Sequence, residues 1–500
     1  MILDVAARRA DLTPEREALW WNGRWYTYFE LNERAERTAA LLASMGVRKG
    51  DRVAIAAHNH IGHLDLILAT PKLGFIFAPL NVRLAQRELE GLGAYLKPSV
   101  VLHDAEHALA AAAAAGDGSV LDLATFEREV AATGGAVPAS ASPDLGPEDV
   151  QMILLTGGTT GLPKGAMLPY RQNFYNAVNT VFSWGLNESD RVVQATPCYH
   201  AAVNAFTTPL FQVGGRTILQ SKFDPAEYLR LVEELGATVL FLVPTMYAMV
   251  ANDPSFTTRD LSSVRWAISG GAACPEPVRH AFADRGVRFR QGYGLTEAGV
   301  NCFAITLDQA EQRPESVGKP LLHAEAAVRR PDGSVCNPGE VGELTLRGPH
   351  VFLGYYERPQ ATAEALKDGW LWTGDLATTD ANGYFTVAGR RKEMFISGGE
   401  NVFPTEIESA LYDHPAVNEC AVLGVPDERW GEVGVAYVTL RPGAATSVEE
   451  LREHLLTRLA RYKVPKHIEL TKELPKSGAG KILKTTLRER FEHSHEGGAA

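Results

Sequence analysis

The sequence predicts an α/β protein with a large N-terminal domain and a smaller α+β domain after about residue 389. The chain has 500 residues, more than the roughly 250–300 residues that one hydrophobic core usually serves. Short apolar runs alternate with helical patterns over much of the chain, which is typical of parallel sheets covered by helices. After residue 389, short strands mix with one helical stretch, over a length that is typical of a separate domain.

The first clear elements are a helix at 28–45, which Gly46 ends, and a strand at 51–56. A second helix is predicted at 225–235. The alanine run at 108–115 predicts an exposed helix of high propensity, with a flexible spacer as the alternative. Further buried strands are predicted at 100–102, 151–155, 191–195, 217–219, 239–243 and 265–269.

The pattern changes to short strands and turns at 325–346, which predicts a small β unit. The C-terminal domain is predicted to contain two strands and a helix, at 419–424, 434–440 and 447–459.

The composition excludes several classes of protein. A net charge of −11 argues against non-specific binding of nucleic acid. The five cysteines are scattered and form no CxxC pair, which favours free thiols over a disulfide framework or a structural zinc site. Residues 1–14 lack the pattern of a signal peptide, and the apolar stretch at 64–80 is interrupted by charged residues, proline and glycine. We therefore expect a cytoplasmic protein.

A glycine-rich segment, 156–165 (TGGTTGLPKG), follows the predicted strand at 151–155. Glycines let the backbone approach an anion closely, and loop N–H groups bind phosphate oxygens. Thr159 and Thr160 add hydroxyl donors, and Lys164 adds a positive charge. The spacing differs from the GxxxxGK[ST] of P-loop NTPases. The segment predicts a phosphate site, and a flexible strand-to-helix turn is the alternative.

Two more glycine segments follow predicted strands, at 269–272 (SGGA) and 292–297 (GYGLTE). Tyr293 stands between two glycines, so its ring could stack on a flat base. Glu297 offers hard oxygen ligands that suit Mg²⁺. Taken alone, a Gly-Tyr-Gly turn is more often structural, so this interpretation depends on the other motifs.

Three charged positions complete the set of candidate motifs. Asp375, in the segment WTGD, could accept hydrogen bonds from both hydroxyls of a ribose, although a lone turn aspartate is usually a cap. The basic segment at 389–401 lies at the proposed domain boundary and runs into a glycine pair, which favours a hinge or a phosphate contact over a solvated face. Lys481 lies in the glycine-rich segment 475–484 and would, in isolation, be interpreted as an exposed lysine.

In this order, these five segments resemble the class I adenylate-forming superfamily, which contains acyl-CoA synthetases, aryl-CoA ligases, firefly luciferase and non-ribosomal adenylation domains. The likeness extends to 197–200 (PCYH), 317–320 (VGKP) and 354–356 (GYY), and it covers essentially the whole chain. The resemblance implies an AMP-forming acid–CoA ligase. Such an enzyme converts a carboxylic acid and ATP into acyl-AMP and pyrophosphate, and then converts acyl-AMP and coenzyme A into acyl-CoA and AMP.

The resemblance also implies a division of the chain. Residues 1–388 would form a domain of αβαβα subdomains with a small β-barrel-like unit, which binds ATP and the acid. Residues 389–392 would form a hinge, and residues 393–500 a small mobile α+β domain that carries Lys481. Because Lys481 and the incoming thiol cannot both occupy the approach to the carbonyl carbon, the small domain must rotate between the two steps.

For ATP, the resemblance implies that the segment at 156–165 holds the β- and γ-phosphates and that Tyr293 stacks on adenine. Thr296 would contact the α-phosphate, and Asp375 and Arg390 would hold the ribose. The full implied set of ATP-binding residues is Thr156, Gly157, Gly158, Thr159, Thr160, Gly161, Lys164, Gly270, Gly271, Ala272, Tyr293, Gly294, Thr296, Asp375, Arg390, Asn401 and Lys481.

The implied catalytic residues are Lys164, Thr296, Glu297 and Lys481. Glu297 would bind Mg²⁺, and Lys481 would bridge the acyl carboxylate and the α-phosphate. Lys392 matches the position about which the small domain turns.

The resemblance places Gly398 and Gly399 beside the tunnel for the pantetheine arm of coenzyme A, and His200, Asn204 and Gly271 at the acyl pocket. The sequence departs from the family pattern in two places. Glycine at position 157 replaces the usual serine, and residues 201–204 (AAVN) replace a stretch that often contains glycine.

Small residues beside His200 leave room for an extended or aromatic acid, so medium- or long-chain fatty acids and cinnamate-type aryl acids both remain candidates. The segments that would line the pocket lack arginine and lysine, which disfavours a dicarboxylate. The alternatives are delivery of the acyl group to a carrier protein, a luciferase-like oxygenation, and a nucleotide-binding protein without turnover. The sequence does not determine the oligomeric state, for which a homodimer is the hypothesis.

Overall fold

The computed structural model describes residues 4–135, 143–156, 163–476 and 482–496. The strands are β1 (Glu17–Trp21), β2 (Arg24–Thr27), β3 (Arg52–Ala56), β4 (Ile76–Pro79), β5 (Val100–His103), β6 (Ser119–Asp122), β7 (Val150–Thr156), β8 (Lys164–Pro169), β9 (Arg191–Gln194), β10 (Arg216–Leu219), β11 (Val239–Leu242), β12 (Trp266–Ser269), β13 (Phe289–Gln291), β14 (Phe303–Ala304), β15 (Lys319–Pro320), β16 (Glu325–Arg329), β17 (Gly342–Arg347), β18 (Gly354–Tyr355), β19 (Leu366–Lys367), β20 (Trp370–Thr379), β21 (Phe385–Arg390), β22 (Phe395–Ser397), β23 (Glu400–Val402), β24 (Val417–Asp427), β25 (Gly431–Leu440) and β26 (His467–Leu470).

The helices are α1 (Val5–Leu12), α2 (Tyr28–Ser44), α3 (Ile61–Leu73), α4 (Gln86–Leu96), α5 (Ala108–Ala115), α6 (Leu123–Ala132), α7 (Tyr170–Trp184), α8 (Thr207–Val213), α9 (Pro225–Glu234), α10 (Pro244–Ala251), α11 (Glu276–Ala283), α12 (Leu307–Gln312), α13 (Pro359–Ala365), α14 (Pro404–Tyr412), α15 (Val448–Leu456) and α16 (Lys484–Glu496). Within the described ranges, no helix is both long and apolar enough to cross a membrane.

Two seven-stranded sheets form most of the N-terminal part. The first has the strand order β13-β12-β11-β9-β10-β1-β2, and only its β1–β2 pair is antiparallel. The second has the order β18-β8-β7-β4-β3-β5-β6. Its five strands from β3 to β7 in chain order run parallel, and β8 and β18 pair antiparallel at one end. The parallel sheets that the sequence predicted are therefore confirmed.

The helix α2 shows how local sequence sets these elements. Thr27 and Glu30 form a reciprocal capping box at its N-terminus, where each side chain accepts a hydrogen bond from the other residue's backbone N–H. Gly46 follows its C-terminus with φ at 90°, a conformation that suits glycine. The predicted helix at 28–45 is confirmed to within one residue.

The alanine-rich helix α5 matches the predicted range, but the prediction that it is exposed is wrong for one face. Ala111 and Ala114 are fully buried. A Cβ at Gly93 of α4 would lie 2.4 Å from the carbonyl oxygen of Ala114. The small residues on both helices thus allow α4 and α5 to pack with their backbones in close contact.

A third sheet is antiparallel, with the order β16-β17-β20-β19 and with β21 paired to β20. It contains the small β unit that was predicted at 325–346. The five cysteines are free and buried, as expected.

The last sheet has the order β23-β22-β25-β24, with β26 paired to β25, and it packs against α14 and α15. Sheet membership changes between Arg390, the last residue of β21, and Phe395, the first residue of β22. The chain therefore passes from the third sheet to the last within residues 391–394.

Two buried histidines give the fold a defined response to acid. Burial lowers the pKa of His63 to about 3 and that of His350 to about 4, whereas unfolded histidine titrates near 6.5. As the pH falls, the unfolded state takes up a proton before the folded state does. The free energy of unfolding is therefore unaffected by these histidines above about pH 6.5 and decreases below it. We expect each histidine to lower the free energy of unfolding by about 1.4 kcal/mol per pH unit below that point.

Urea unfolding at pH 7.5, 6.5 and 5.5 measures this slope. His63→Gln should flatten it, whereas His280→Gln, which changes a side chain that is 69% exposed, should not. An identical slope for His63→Gln and the parent protein would contradict the assignment.

Candidate active site

Asp375 lies at the centre of the candidate site, because β20 and β21 place it directly opposite Arg390. Oδ1 of Asp375 is 2.7 Å from Nε of Arg390, and its Oδ2 accepts a hydrogen bond of 2.6 Å from the Tyr293 hydroxyl. Asp375 is 5% exposed. The structure thus joins three residues from separate predicted motifs in one cluster.

Tyr293 and its neighbours depend on close backbone packing. The ring lies edge-on to Phe303, at 5.7 Å between centroids. A Cβ at Gly294 would lie 2.1 Å from the carbonyl oxygen of Val300, so this position requires glycine. Burial, and then the charge of Asp375, raises the pKa of Tyr293 well above its usual value. The hydroxyl therefore stays protonated and remains a donor to Asp375.

The two glycine segments meet at one edge of the first sheet. The strands β12 and β13 are parallel neighbours, with Ser269 opposite Gln291, and the Gly292 N–H donates to the Ser269 carbonyl. Gly270, Gly271 and Ala272 follow β12 at this edge, and Gly271 has φ at 86°. Residues 270–272 and 292–294 are therefore neighbours at the carboxyl ends of two adjacent parallel strands.

Thr296 and Glu297 begin a short 3₁₀ turn after this edge. The Thr296 carbonyl accepts a hydrogen bond of 2.9 Å from Nε2 of Gln172 on α7. Glu297 is 9% exposed, and its Oε1 accepts a hydrogen bond of 2.8 Å from the Tyr355 hydroxyl. Among the residues that the structure describes, no hydrogen bond or ion pair uses Oε2 of Glu297, and this oxygen could accept a cation.

Tyr355 links Glu297 to Lys164, and sequence reasoning gave it no role of its own. It lies on β18, which pairs with β8, and Nζ of Lys164 lies 4.9 Å from the centre of its ring. Burial, and then the charge of Glu297, raises the pKa of the Tyr355 hydroxyl. The motif GYY was noted in the sequence, but only the pairing of β18 with β8 shows what it contacts.

The predicted phosphate segment starts and ends on paired strands. Thr156 ends β7 and Lys164 begins β8, and the two residues lie opposite each other, with the Thr156 hydroxyl 3.3 Å from the Lys164 carbonyl oxygen. The strand-to-helix turn that was weighed as an alternative is wrong, since β8 follows. Five predicted phosphate-binding residues lie outside the described ranges, namely Gly157, Gly158, Thr159, Thr160 and Gly161.

Around the predicted acyl pocket, His200 precedes a 3₁₀ turn that ends at Asn204. Asn204 is 2% exposed. Its Nδ2 donates to Oδ1 of Asn173 at 3.2 Å, and its Oδ1 accepts from the Thr208 hydroxyl at 3.3 Å. The amide of Asn204 thus belongs to a buried polar network with α7 and α8.

The predicted hinge residue Lys392 lies in the segment between the third and last sheets, and its side chain is exposed. Partial loss of solvent around its ammonium group lowers its pKa, and the neighbouring Arg390 charge lowers it further. Gly398 and Gly399 form the turn between β22 and β23, with φ at 61° and 87°. Asn401 is exposed on β23, and no contact among the described residues joins it to Asp375 or Tyr293.

Lys481 lies outside the described ranges, but both sides of its segment are placed. Lys476 and Ile482 form an isolated antiparallel bridge. Nζ of Lys484 lies 3.0 Å from Oε2 of Glu393 and 2.8 Å from Oε1 of Glu408. Burial alone would lower the pKa of Lys484, but these two carboxylates raise it. Sequence reasoning missed this anchor, which ties the residues after Lys481 to Glu393, directly after the predicted hinge.

Comparisons with known proteins show the family to which the chain belongs. Residues 6–356 match the AMP-binding enzyme family, and residues 406–481 match the C-terminal domain of AMP-binding enzymes. The chain is 42% identical to a feruloyl-CoA synthase of Amycolatopsis over 97% of this chain and 98% of that protein. It is 34% identical to a long-chain-fatty-acid–CoA ligase of Mycobacterium tuberculosis, over 93% of each.

Among solved structures, the fold is similar to that of MatB from Rhodopseudomonas palustris, at 32% identity. The ATP-bound form gives a TM-score of 0.90, over 98% of this chain and 99% of MatB. The apo form of the same protein gives a TM-score of 0.80, over 99% of both chains. The arrangement described above is thus more similar to the ATP-bound form of MatB.

Proposed function

The chain belongs to the family of AMP-binding enzymes, and from this premise we propose how its residues convert a carboxylic acid into its coenzyme A thioester. It is an AMP-forming acid–thiol ligase that uses ATP and coenzyme A. In the first step, the acid attacks the α-phosphorus of ATP, and acyl-AMP and pyrophosphate form. In the second step, the thiol of coenzyme A attacks the acyl carbon and releases AMP.

The single observation that carries the residue assignments is the cluster of Tyr293, Asp375 and Arg390. Asp375 would accept hydrogen bonds from the ribose hydroxyls, and the contacts from Tyr293 and Arg390 hold its carboxylate in place before ATP binds. Such preorganisation reduces the loss of freedom on binding. The Tyr293 ring, with Gly294 beside it, would face adenine, while residues 270–272 line the base.

The barrier of the first step is largely electrostatic, because both reactants are anions. Lys164, at the start of β8, would neutralise the phosphates, and Lys481 would do so at the α-phosphate and the acid. Mg²⁺ bound to Glu297 would neutralise further negative charge on the phosphates. The free Oε2 of Glu297 fits this role, since Mg²⁺ sites commonly use one or two carboxylates together with phosphate oxygens.

The second step requires the small domain to move, with residues 389–392 as the hinge. The greater similarity to the ATP-bound form of MatB supports the view that the arrangement described here serves adenylate formation. Rotation about Lys392 would remove Lys481 and bring Gly398 and Gly399 to the pantetheine tunnel.

For the acid itself, we favour a cinnamate-type aryl acid over a fatty acid. Identity is higher to the feruloyl-CoA synthase than to the fatty-acid ligase. The buried amides of Asn204 and Asn173 and the Thr208 hydroxyl also make the region beside His200 polar. Such a region favours an acid with ring oxygens over a plain alkyl chain, whose burial next to polar groups gains less.

A panel of acids tests both the ligase and its substrate class. With Mg²⁺, ATP and coenzyme A, we expect kcat/KM for ferulate or 4-coumarate to exceed that for octanoate or palmitate by about 100-fold or more. AMP and the thioester should appear in equal amounts. A preference for a fatty acid would overturn the substrate class alone, whereas no AMP with any acid would overturn the ligase assignment.

A further inference from the structure

Far from the motifs of the ligase site in sequence, four side chains with metal-binding groups meet at the carboxyl ends of β3 and β5. They are His58, Asp104, Glu106 and His107. One candidate ligand atom from each of His58, Asp104 and His107 lies within 4.8 Å of the other two. Nε2 of His58 is 3.2 Å from Oε2 of Glu106, and Nδ1 of His107 is 2.5 Å from Oδ1 of Asp104. The two imidazole rings lie edge to face, 4.7 Å apart.

We propose that these residues form a binding site for a divalent transition metal ion, with zinc as the best match. Two imidazoles and two carboxylates supply the nitrogen and oxygen ligands that zinc accepts in a tetrahedral arrangement. Bonds of about 2.0–2.1 Å require ligand atoms about 3.3 Å apart. The more distant atoms must therefore close by roughly 1.5 Å at most, and the atoms of His107 and Asp104 that lie 2.5 Å apart must separate by roughly 0.8 Å. Rotation of partly exposed side chains supplies such a movement, since 30% of His58 and 14% of His107 are exposed.

A structural role explains Asp104 but leaves both histidines unexplained. Its carboxylate accepts hydrogen bonds from the backbone N–H groups of His58, Glu106 and His107, so it caps the short 3₁₀ turn that follows β5. Those bonds require no imidazole at position 58 or 107. Each imidazole is nevertheless directed to a carboxylate of the cluster, His58 to Glu106 and His107 to Asp104, which brings nitrogen and oxygen ligands together as a metal site requires.

The charge of the cluster favours a cation. Two carboxylates face two imidazoles and one ammonium group, that of Lys222. Nζ of Lys222 lies 2.7 Å from Oε1 and 2.9 Å from Oε2 of Glu106. Zinc binding at Glu106 would displace Lys222 from one of these oxygens.

The position of the cluster predicts what bound metal would do. The next residue, Asn59, donates hydrogen bonds to the carbonyls of Thr196 and Gln220 and accepts one from the Cys198 N–H. These bonds join the two seven-stranded sheets. Zinc held by His58 would fix this junction, so we expect the melting temperature to rise with zinc concentration.

The test uses the full chain without an affinity tag, after treatment with EDTA. Isothermal titration with zinc chloride should give one strong site per chain, and Co²⁺ should give the visible absorption of a tetrahedral ion. The buried cysteines should not compete. His58→Gln and His107→Gln should each weaken zinc binding by about tenfold or more, a loss that even outer contacts of metal sites produce.

His280→Gln, which alters an exposed histidine paired with Glu276, is the matched control and should bind zinc like the parent. The proposal is wrong if no zinc binds above background. It is equally wrong if His58→Gln and His107→Gln, both folded by circular dichroism, bind zinc with unchanged affinity.

Discussion

Lys481→Ala is expected to slow acyl-adenylate formation by about 10²–10³-fold, the loss that follows removal of one preorganised charge contact. In the proposed mechanism, Lys481 neutralises the acid and the α-phosphate only while the mixed anhydride forms. Transfer from supplied acyl-adenylate to coenzyme A should therefore stay within about threefold of the parent, since a contact absent from that step contributes nothing to it. Pyrophosphate release measures the first step, and thioester formation from acyl-adenylate measures the second.

Lys472→Ala provides the control for Lys481→Ala. Lys472 is an exposed lysine in the same part of the chain, so its loss should leave both steps unchanged. Equal losses in both steps for Lys481→Ala would contradict the assigned role.

Lys392→Pro is expected to keep acyl-adenylate formation and to slow thioester formation by about 10²-fold, the loss that a small misplacement of reacting groups causes. Proline fixes φ near −65°, so the backbone at Lys392 can no longer turn freely. The arrangement described here resembles the ATP-bound form of MatB, and this is the arrangement that we expect the proline to retain. No described backbone hydrogen bond uses the Lys392 N–H, so proline removes none of them.

Single-turnover measurements of each step distinguish loss of rotation from loss of the side chain. Lys392→Ala keeps the backbone free and should retain both steps. If Lys392→Pro forms the thioester at the parental rate, the hinge lies elsewhere.

Most of the fold could be predicted from the sequence because its elements carry local signals. The strand at 51–56 and the helix at 225–235 appear as β3 and α9 with almost the same bounds. The exposure of α5 could not be predicted, since the signal for helix is the same on both of its faces. The packing of α5 against α4, at Gly93, decides which alanines are buried.

The candidate site also contains both residues that the sequence identifies and residues whose contacts only the structure reveals. Glycine-rich motifs such as 292–297 can be recognised in the sequence because a close approach of the backbone requires glycine. Tyr293 and Glu297 are candidates because they lie in such a motif. Tyr355 and Lys484 act through tertiary contacts, with Glu297 and Lys164 in one case and with Glu393 and Glu408 in the other. Both residues lie in motifs that the sequence shows, 354–356 and 475–484, but those motifs do not indicate which distant side chains they contact.

In the proposed mechanism, the ion pairs on either side of Lys392 determine which contacts survive a turn of the small domain. Arg390 and Arg391 pair with Asp375 and Glu343 on one side of the pivot, and Glu393 pairs with Lys484 on the other. A rotation confined to Lys392 would break none of these bridges. Its energy cost should therefore depend little on ionic strength, and the alternation between the two steps should proceed at similar rates in dilute and in concentrated salt.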